Sequence, residues 1–201
     1  QIAKTFGGVV INADAIQVYG ALQILTARPS MEDERQVQHL LYGHITFDHA
    51  YSVGQWLREV TPLLHGGERP IIIGGTGLYF QALTQGLAEI PQISPQIIAR
   101  SEQVLANAGH TALITELDAA TAARIDLHNP MRVQRAWQVL HSTGRGLADW
   151  QDATPPPMLR VADSIPIVFN VARDWLNQRI TTRFESMIAE GALDEMRALL
   201  P

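Results

Sequence analysis

Three short apolar runs constrain the fold more than any other feature of this 201-residue chain: Gly8–Asn12 (GVVIN), Pro70–Ile73 (PIII) and Ile165–Val171 (IPIVFNV). Each is apolar at successive positions instead of alternating, which is the pattern of parallel strands covered on both faces. Helical patterns lie between them, at Val53–His65 and Gly77–Thr84. Strands alternating with helices predict an open α/β sheet. Between Ile90 and Pro157 no strand-like run occurs. Helical patterns at Gln96–Ala108, Thr111–Leu117, Ala119–Ile125 and Met131–Ser142 predict an all-helical insertion there. Proline-bearing segments, IPQISP and TPPPM, bracket it as stiff hinges. The expected organisation is an α/β core of residues 1–89 and 158–201 with a helical domain at 90–157, and a long helix, Trp175–Glu190, after the third strand.

Charge limits the partners. The net charge of −5 supplies no bulk attraction to nucleic acid, so any such contact needs a local basic cluster. Cysteine is absent, which excludes disulfides and thiolate metal sites. No apolar run approaches the roughly 20 residues of a membrane helix, and no signal peptide opens the chain. A soluble cytoplasmic protein is expected. Lys4 is the only lysine, so a lysine-dependent phosphate site would lie outside this sequence. Both ends read as helices cut short, QIAKTFGG without a start signal and GALDEMRALLP without a stop.

Four constellations can carry chemistry. Asp14 stands just past the carboxyl end of the first strand, the edge where open α/β sheets bind ligands. A carboxylate there can accept a proton, hold a metal or cap the next helix, and position alone leaves cap and catalysis level. The stretch IIIGGTGLYFQAL, Ile71 to Leu83, runs a strand through Gly74-Gly75-Thr76-Gly77 into a helix, a turn that lets backbone N–H groups approach an anion. The same glycines also suit a tight turn chosen for sterics. Arg179 and Arg183, four apart, share one helical face and suit a diphosphate, or pair with Glu185 or Glu190. Arg132 and Arg135, with Arg124 and His128 upstream, form the one positive spot of the helical region and could grip a phosphate backbone or be ordinary surface charge. His39, His44 and His49, five apart, match no ligand spacing, so no metal is assigned to protein ligands. Tyr51, Trp56, Tyr79 and Phe80 read as core or pocket lining.

The order of these stretches is more specific than any one of them. INADAIQVYGALQILTARPS, YSVGQW, RPIIIGGTGLYFQAL, NPMRVQRAWQVL and NQRITTRFESM together resemble the tRNA dimethylallyltransferase (tRNA isopentenyltransferase) family along essentially the whole chain. The resemblance implies a P-loop-kinase-like core with a helical insertion that grips the anticodon arm. It implies transfer of the dimethylallyl group of dimethylallyl diphosphate to the exocyclic amine of the adenosine 3′ of the anticodon, in tRNAs reading codons that begin with U. Asp14 matches the catalytic acid, Thr76 a position beside the reacting base, and Arg183 the arginine on the diphosphate, with Arg179 in support. Asp14, Ala15, Ile16, Gln17, Thr76 and the stretch Met131, Arg132, Val133, Gln134, Arg135 match tRNA-contacting positions. The family pattern has Ser where this chain has Ala15, a basic residue where it has Gly20, and Arg where it has Ile98, with Arg100 close by. The family also implies Mg²⁺ held through the diphosphate and a hydroxyl residue, a phosphate loop preceding Gln1, a helical segment after Pro201, and a monomer. On that reading the stretch from 1 to 201 alone is an inactive fragment. Three other readings share parts of the pattern: a free-nucleotide, cytokinin-type isopentenyltransferase, a P-loop nucleotide kinase and a non-catalytic RNA-binding remnant.

Overall fold

The computed structural model describes residues 1–200. Elements follow in the order α1 (Ile2–Phe6), β1 (Val9–Asn12), α2 (Met31–Gln36), β2 (His39–Leu40), α3 (Val53–Leu64), β3 (Pro70–Ile73), α4 (Gly77–Gln85), α5 (Pro95–Ile114), α6 (Ala119–Arg124), α7 (Pro130–Thr143), α8 (Leu147–Asp152), α9 (Arg173–Ala189) and α10 (Ala192–Arg197). The chain divides into two compact units, Gly86–Pro157 and a second formed by Gln1–Gln85 with the chain from Met158 onward.

In the α/β unit, β1 is the central strand of an all-parallel sheet of order β2-β1-β3. Alternate residues of a strand share a face. Val9, Ile11 and Ala13 accordingly pack together against Trp56 and Val60 of α3 and Tyr79 and Leu83 of α4. The Trp56 and Tyr79 rings stack with centroids 4.6 Å apart. Helix α3 starts where it does because Ser52 and Gln55 form a reciprocal capping box, and α2 starts at Ser30 with Asp33 in the same way. The opposite sheet face is less covered: Val10 and Ile71 are half-buried and Ile73 is 51% exposed. Covering on both faces, expected from the unbroken apolar runs, is therefore found on one.

The expected strand at Ile165–Val171 does not form. That segment joins no ladder, and Ile165 and Phe169 are 88% and 83% exposed. Apolar content signals a demand for burial, whereas a strand exists only where a neighbouring edge pairs with its N–H and C=O groups. Helix α9 follows with no buried residue.

The helical unit packs α5 on α7 around Leu113, Val133 and Trp137, and α6 on α8. Asn129 caps α7, accepting from the N–H groups of Met131 (3.1 Å) and Arg132 (3.3 Å), with Pro130 in the first turn. Gly109, at φ 73°, breaks α5 near the point where the sequence pattern predicts a gap.

One buried polar residue ends β1. The amide nitrogen of Asn12 donates to the carbonyls of Asp14 and Leu41, both at 3.0 Å. Its side-chain oxygen accepts the Asp14 N–H at 2.9 Å, and its carbonyl accepts the Trp56 indole N–H at 2.7 Å. Replacing Asn12 with Ala strands three of these backbone groups away from water. We expect urea denaturation to show a loss of about 1–3 kcal/mol for Asn12→Ala.

Three tyrosines titrate high. Burial, then the charge of Asp14, pushes Tyr42 up to about 12. Burial, then Tyr19, then Asp14 and Glu59, pushes Tyr79 to about the same value. Tyr51 is raised by burial and by the bond its hydroxyl donates to Glu59 at 2.7 Å. Above pH 10 the unfolded chain has released these protons and the folded chain still holds them, so stability falls as pH rises from 10 through about 12. A near-ultraviolet absorbance titration should show tyrosinate appearing late in the folded protein and at the ordinary pH in denaturant.

Candidate active site

The site is built where β1 and β3 end side by side. Strand register sets Asn12 against Ile73, and the Ala13 N–H continues the ladder to the Ile73 carbonyl at 2.8 Å. Gly74 then passes so close to Ala13 that a Cβ would collide with the Ala13 backbone. This close approach is the reason the turn needs glycine there. It brings Thr76 to the Asp14 segment: the Thr76 N–H donates to the Ala13 carbonyl (3.3 Å), and the Thr76 hydroxyl oxygen accepts the Ala15 N–H (2.9 Å).

Asp14 is half-buried, and its two oxygens differ. Oδ1 accepts the N–H of Ile16 at 2.9 Å and of Gln17 at 3.4 Å, so the carboxylate caps its own turn. Oδ2 faces Gly75 across the glycine turn. Cap and reactive acid, which position alone left level, are thus compatible: one oxygen fixes the side chain and the other is open. The segment beyond is 59% exposed at Ile16, while the Gln17 amide turns back to donate to the carbonyls of Thr26 (2.7 Å) and Ala27 (3.2 Å).

Arg183 of α9 lines a cleft of about 370 Å³ together with Gln23, Ile24, Ala27 and Arg28 of the loop that leaves Asp14. Arg28 is a residue that sequence reasoning missed. Its guanidinium donates to the Gly20 carbonyl at 2.9 Å, while its Nε is buried without a partner. Arg179 does not line this cleft. Its guanidinium lies 5.4 Å from the centre of the Trp175 ring, one turn back, so the cleft does not bring the two guanidiniums together. Neither arginine makes an ion pair with Glu185 or Glu190 among the described residues.

In the helical unit, Met131, Arg132 and Arg135 are exposed. Val133 and Gln134 are not: Val133 is fully buried and Gln134 donates to the Ser101 hydroxyl at 3.0 Å. A contiguous contact stretch from 131 to 135 is incompatible with helical periodicity, which sends neighbouring residues to different faces. Arg124 is also withdrawn from the positive spot by a two-pronged pair with Asp152, at 2.6 and 2.8 Å. Among the described residues no group of three His, Asp or Glu side chains stands close enough to hold a metal ion, and no helix is long and apolar enough to cross a membrane.

With this geometry in hand, the likeness to known proteins is specific. A tRNA dimethylallyltransferase of Cereibacter sphaeroides is 56% identical over 201 residues, covering 100% of this chain and 64% of that relative. One from Ruegeria sp. is 53% identical over 199 residues, covering 99% and 68%. The chain therefore spans a little under two thirds of the Cereibacter relative. Among solved structures, the full-length tRNA isopentenylpyrophosphate transferase of Bacillus halodurans superposes with TM-score 0.60 at 29% identity, covering 98% of this chain and 63% of that one. A eukaryotic dimethylallyltransferase acting on tRNA reaches TM-score 0.81 at 22% identity, over 98% and 50%, a likeness of fold. The model of the IPP transferase family matches residues 17–201, and the chain belongs to that family.

Proposed function

We propose that the protein carrying this chain transfers the dimethylallyl group of dimethylallyl diphosphate to the exocyclic amine of the adenosine 3′ of the anticodon, in tRNAs reading codons that begin with U. The observation that carries this reading is the divided carboxylate of Asp14, with Oδ1 fixed by backbone N–H groups and Oδ2 open toward the glycine turn. An adenine amine is a weak nucleophile because its lone pair is delocalised into the ring. Asp14 Oδ2 accepts a proton from that amine as the nitrogen–carbon bond forms and the carbon–oxygen bond to diphosphate breaks. Thr76 accepts the Ala15 N–H and so keeps its own O–H free to donate to the base. Arg183, beside Arg28, takes the charge that builds on the departing diphosphate. Arg179 supports this region from its place over Trp175.

Ala15, Ile16 and Gln17 lie against the acceptor nucleotide in this reading. Met131, Arg132 and Arg135 contact the RNA backbone from the helical unit, with Val133 and Gln134 holding their helix in place. The family implies Mg²⁺. Since no protein cage of three acidic or imidazole ligands is found among the described residues, such an ion would rely on diphosphate oxygens, and no step above runs through it. We place the protein in the cytoplasm as a monomer.

The test is transfer of labelled dimethylallyl to an anticodon stem-loop, with AMP as the competing acceptor. Asp14→Asn should lower kcat by roughly 10²–10⁴-fold, with stem-loop affinity by gel shift kept within a few-fold. Arg183→Ala should lower kcat and raise the KM for the diphosphate donor while leaving RNA affinity unchanged. Unaltered turnover in Asp14→Asn overturns the proton-acceptor role, and prenylation of AMP in preference to the stem-loop overturns the acceptor.

A further inference from the structure

Glu195 lies far from Asp14 in sequence, on α10, and nothing in the mechanism above uses it. Its carboxylate nevertheless receives three consecutive backbone N–H groups of the loop that leaves the site. Oε1 accepts from Gln23 at 2.5 Å and from Ile24 at 2.9 Å, and Oε2 from Ile24 at 3.1 Å and from Leu25 at 3.0 Å. Successive N–H groups turned to one side form an anion-binding concavity, here filled by a side chain of the same protein. Partial burial pushes the Glu195 carboxyl up, but the N–H groups of Leu25, Ile24 and Gln23 together outweigh it, and the group sits below its ordinary value.

The clamped turn leads directly to Asp14. The carbonyls of Thr26 and Ala27, the next residues along, accept both bonds donated by the Gln17 amide. Ala27 adopts φ 49°, a left-handed conformation that a non-glycine residue keeps only where its surroundings over-determine it. Gln17 in turn is anchored through its carbonyl, which accepts the Gly43 N–H at 2.9 Å, and its N–H reaches Asp14 Oδ1. A continuous path of hydrogen bonds thus runs from Glu195 through the turn at 23–27 and the Gln17 amide to the Asp14 carboxylate.

We infer that Glu195 is a positioning residue: it clamps the 23–25 turn and, through Gln17, sets the conformation of the segment that carries Asp14. The kinetic consequence rests on the proton-acceptor role proposed for Asp14; the structural consequence does not. Glu195→Gln keeps the size of the side chain but offers one accepting oxygen to three donors and turns an NH₂ group toward them. Glu195→Asp keeps the charge at shorter reach.

Amide hydrogen exchange, read residue by residue, tests the clamp without any turnover. In the unsubstituted protein the amides of Gln23, Ile24 and Leu25 should be protected. In Glu195→Gln they should exchange roughly tenfold or more faster, the effect of losing a bond to a charged acceptor, and Ile16 and Gln17 should follow while α3 and α4 keep their protection. A retained circular dichroism spectrum with protected α3 and α4 excludes general unfolding. In the prenyl-transfer assay, kcat should fall about tenfold with little change in the KM for the diphosphate donor, and Glu195→Asp should recover part of it. The Glu195→Gln and Gln17→Ala losses should be less than multiplicative in the double variant, because both break one path. Fast exchange at 23–25 in the unsubstituted protein, unmoved Ile16 and Gln17 amides in Glu195→Gln, or fully multiplicative losses each overturn the inference. Loss of prenyl transfer by the unsubstituted protein overturns the function proposed above, and the exchange pattern then still decides whether Glu195 holds the Asp14 segment.

Discussion

An amide buried at the end of a strand costs free energy unless its groups are paired, and the pairs it makes then dictate what surrounds it. Asn12 is in that position. Its side chain joins β1 to the Leu41 carbonyl beyond β2 and to both backbone groups of Asp14, while its own carbonyl holds the Trp56 indole in the core. A valine or leucine would bury as well and would leave the chain after β1 free to take several paths. Asparagine specifies one. The polar residue therefore gives up some apolar burial and fixes the direction in which the following carboxylate leaves the sheet.

That constraint explains how a carboxylate on a loop can be ordered enough for the proton-acceptor role proposed for it. Asp14 is held from both sides: its backbone by Asn12, its Oδ1 by two N–H groups of its own turn, and the neighbouring Ala15 N–H by Thr76. The glycine turn contributes by proximity as well as by flexibility, since Gly74 lies against Ala13 where any side chain would intrude. Proton transfer depends on position to within a fraction of an ångström. Here position comes from bonds between backbone N–H groups and short side chains at the strand ends, which are stiffer than contacts between long side chains.

Much of this was legible in the sequence. Strands β1 and β3, the strand–glycine–helix turn and the helices on either side follow from unbroken apolar runs and from glycine placement, both local signals. The two-residue β2 leaves no period to detect, and α2, which buries no residue, shows no apolar stripe. Ile165–Val171 read as a strand because its composition is that of a buried one, but pairing is a property of the neighbour and not of the segment. Val133 and Gln134 read as contact residues because a motif was carried over as a block, where the helix divides it between core and surface. Asn12 and Glu195 were missed for another reason: each bonds backbone groups distant in sequence, and no spacing rule reports such partners.

The same distance bears on how the site can be assembled at all. The groups that meet around the 23–28 loop come from opposite ends of the chain, and the whole helical unit, Gly86–Pro157, lies between them in sequence. Closing a loop costs entropy that grows only with the logarithm of its length, about 0.6 kcal/mol for each doubling. A self-supporting helical unit with its own core around Leu113, Val133 and Trp137 reduces that cost further, because once folded it presents two fixed ends. Interrupting the α/β unit there is thermodynamically mild. What the insertion does demand is that contacts on its far side be strong enough to close the site. The Glu195 carboxylate on three backbone N–H groups of the 23–25 turn, charge-assisted throughout, is an interaction of that strength.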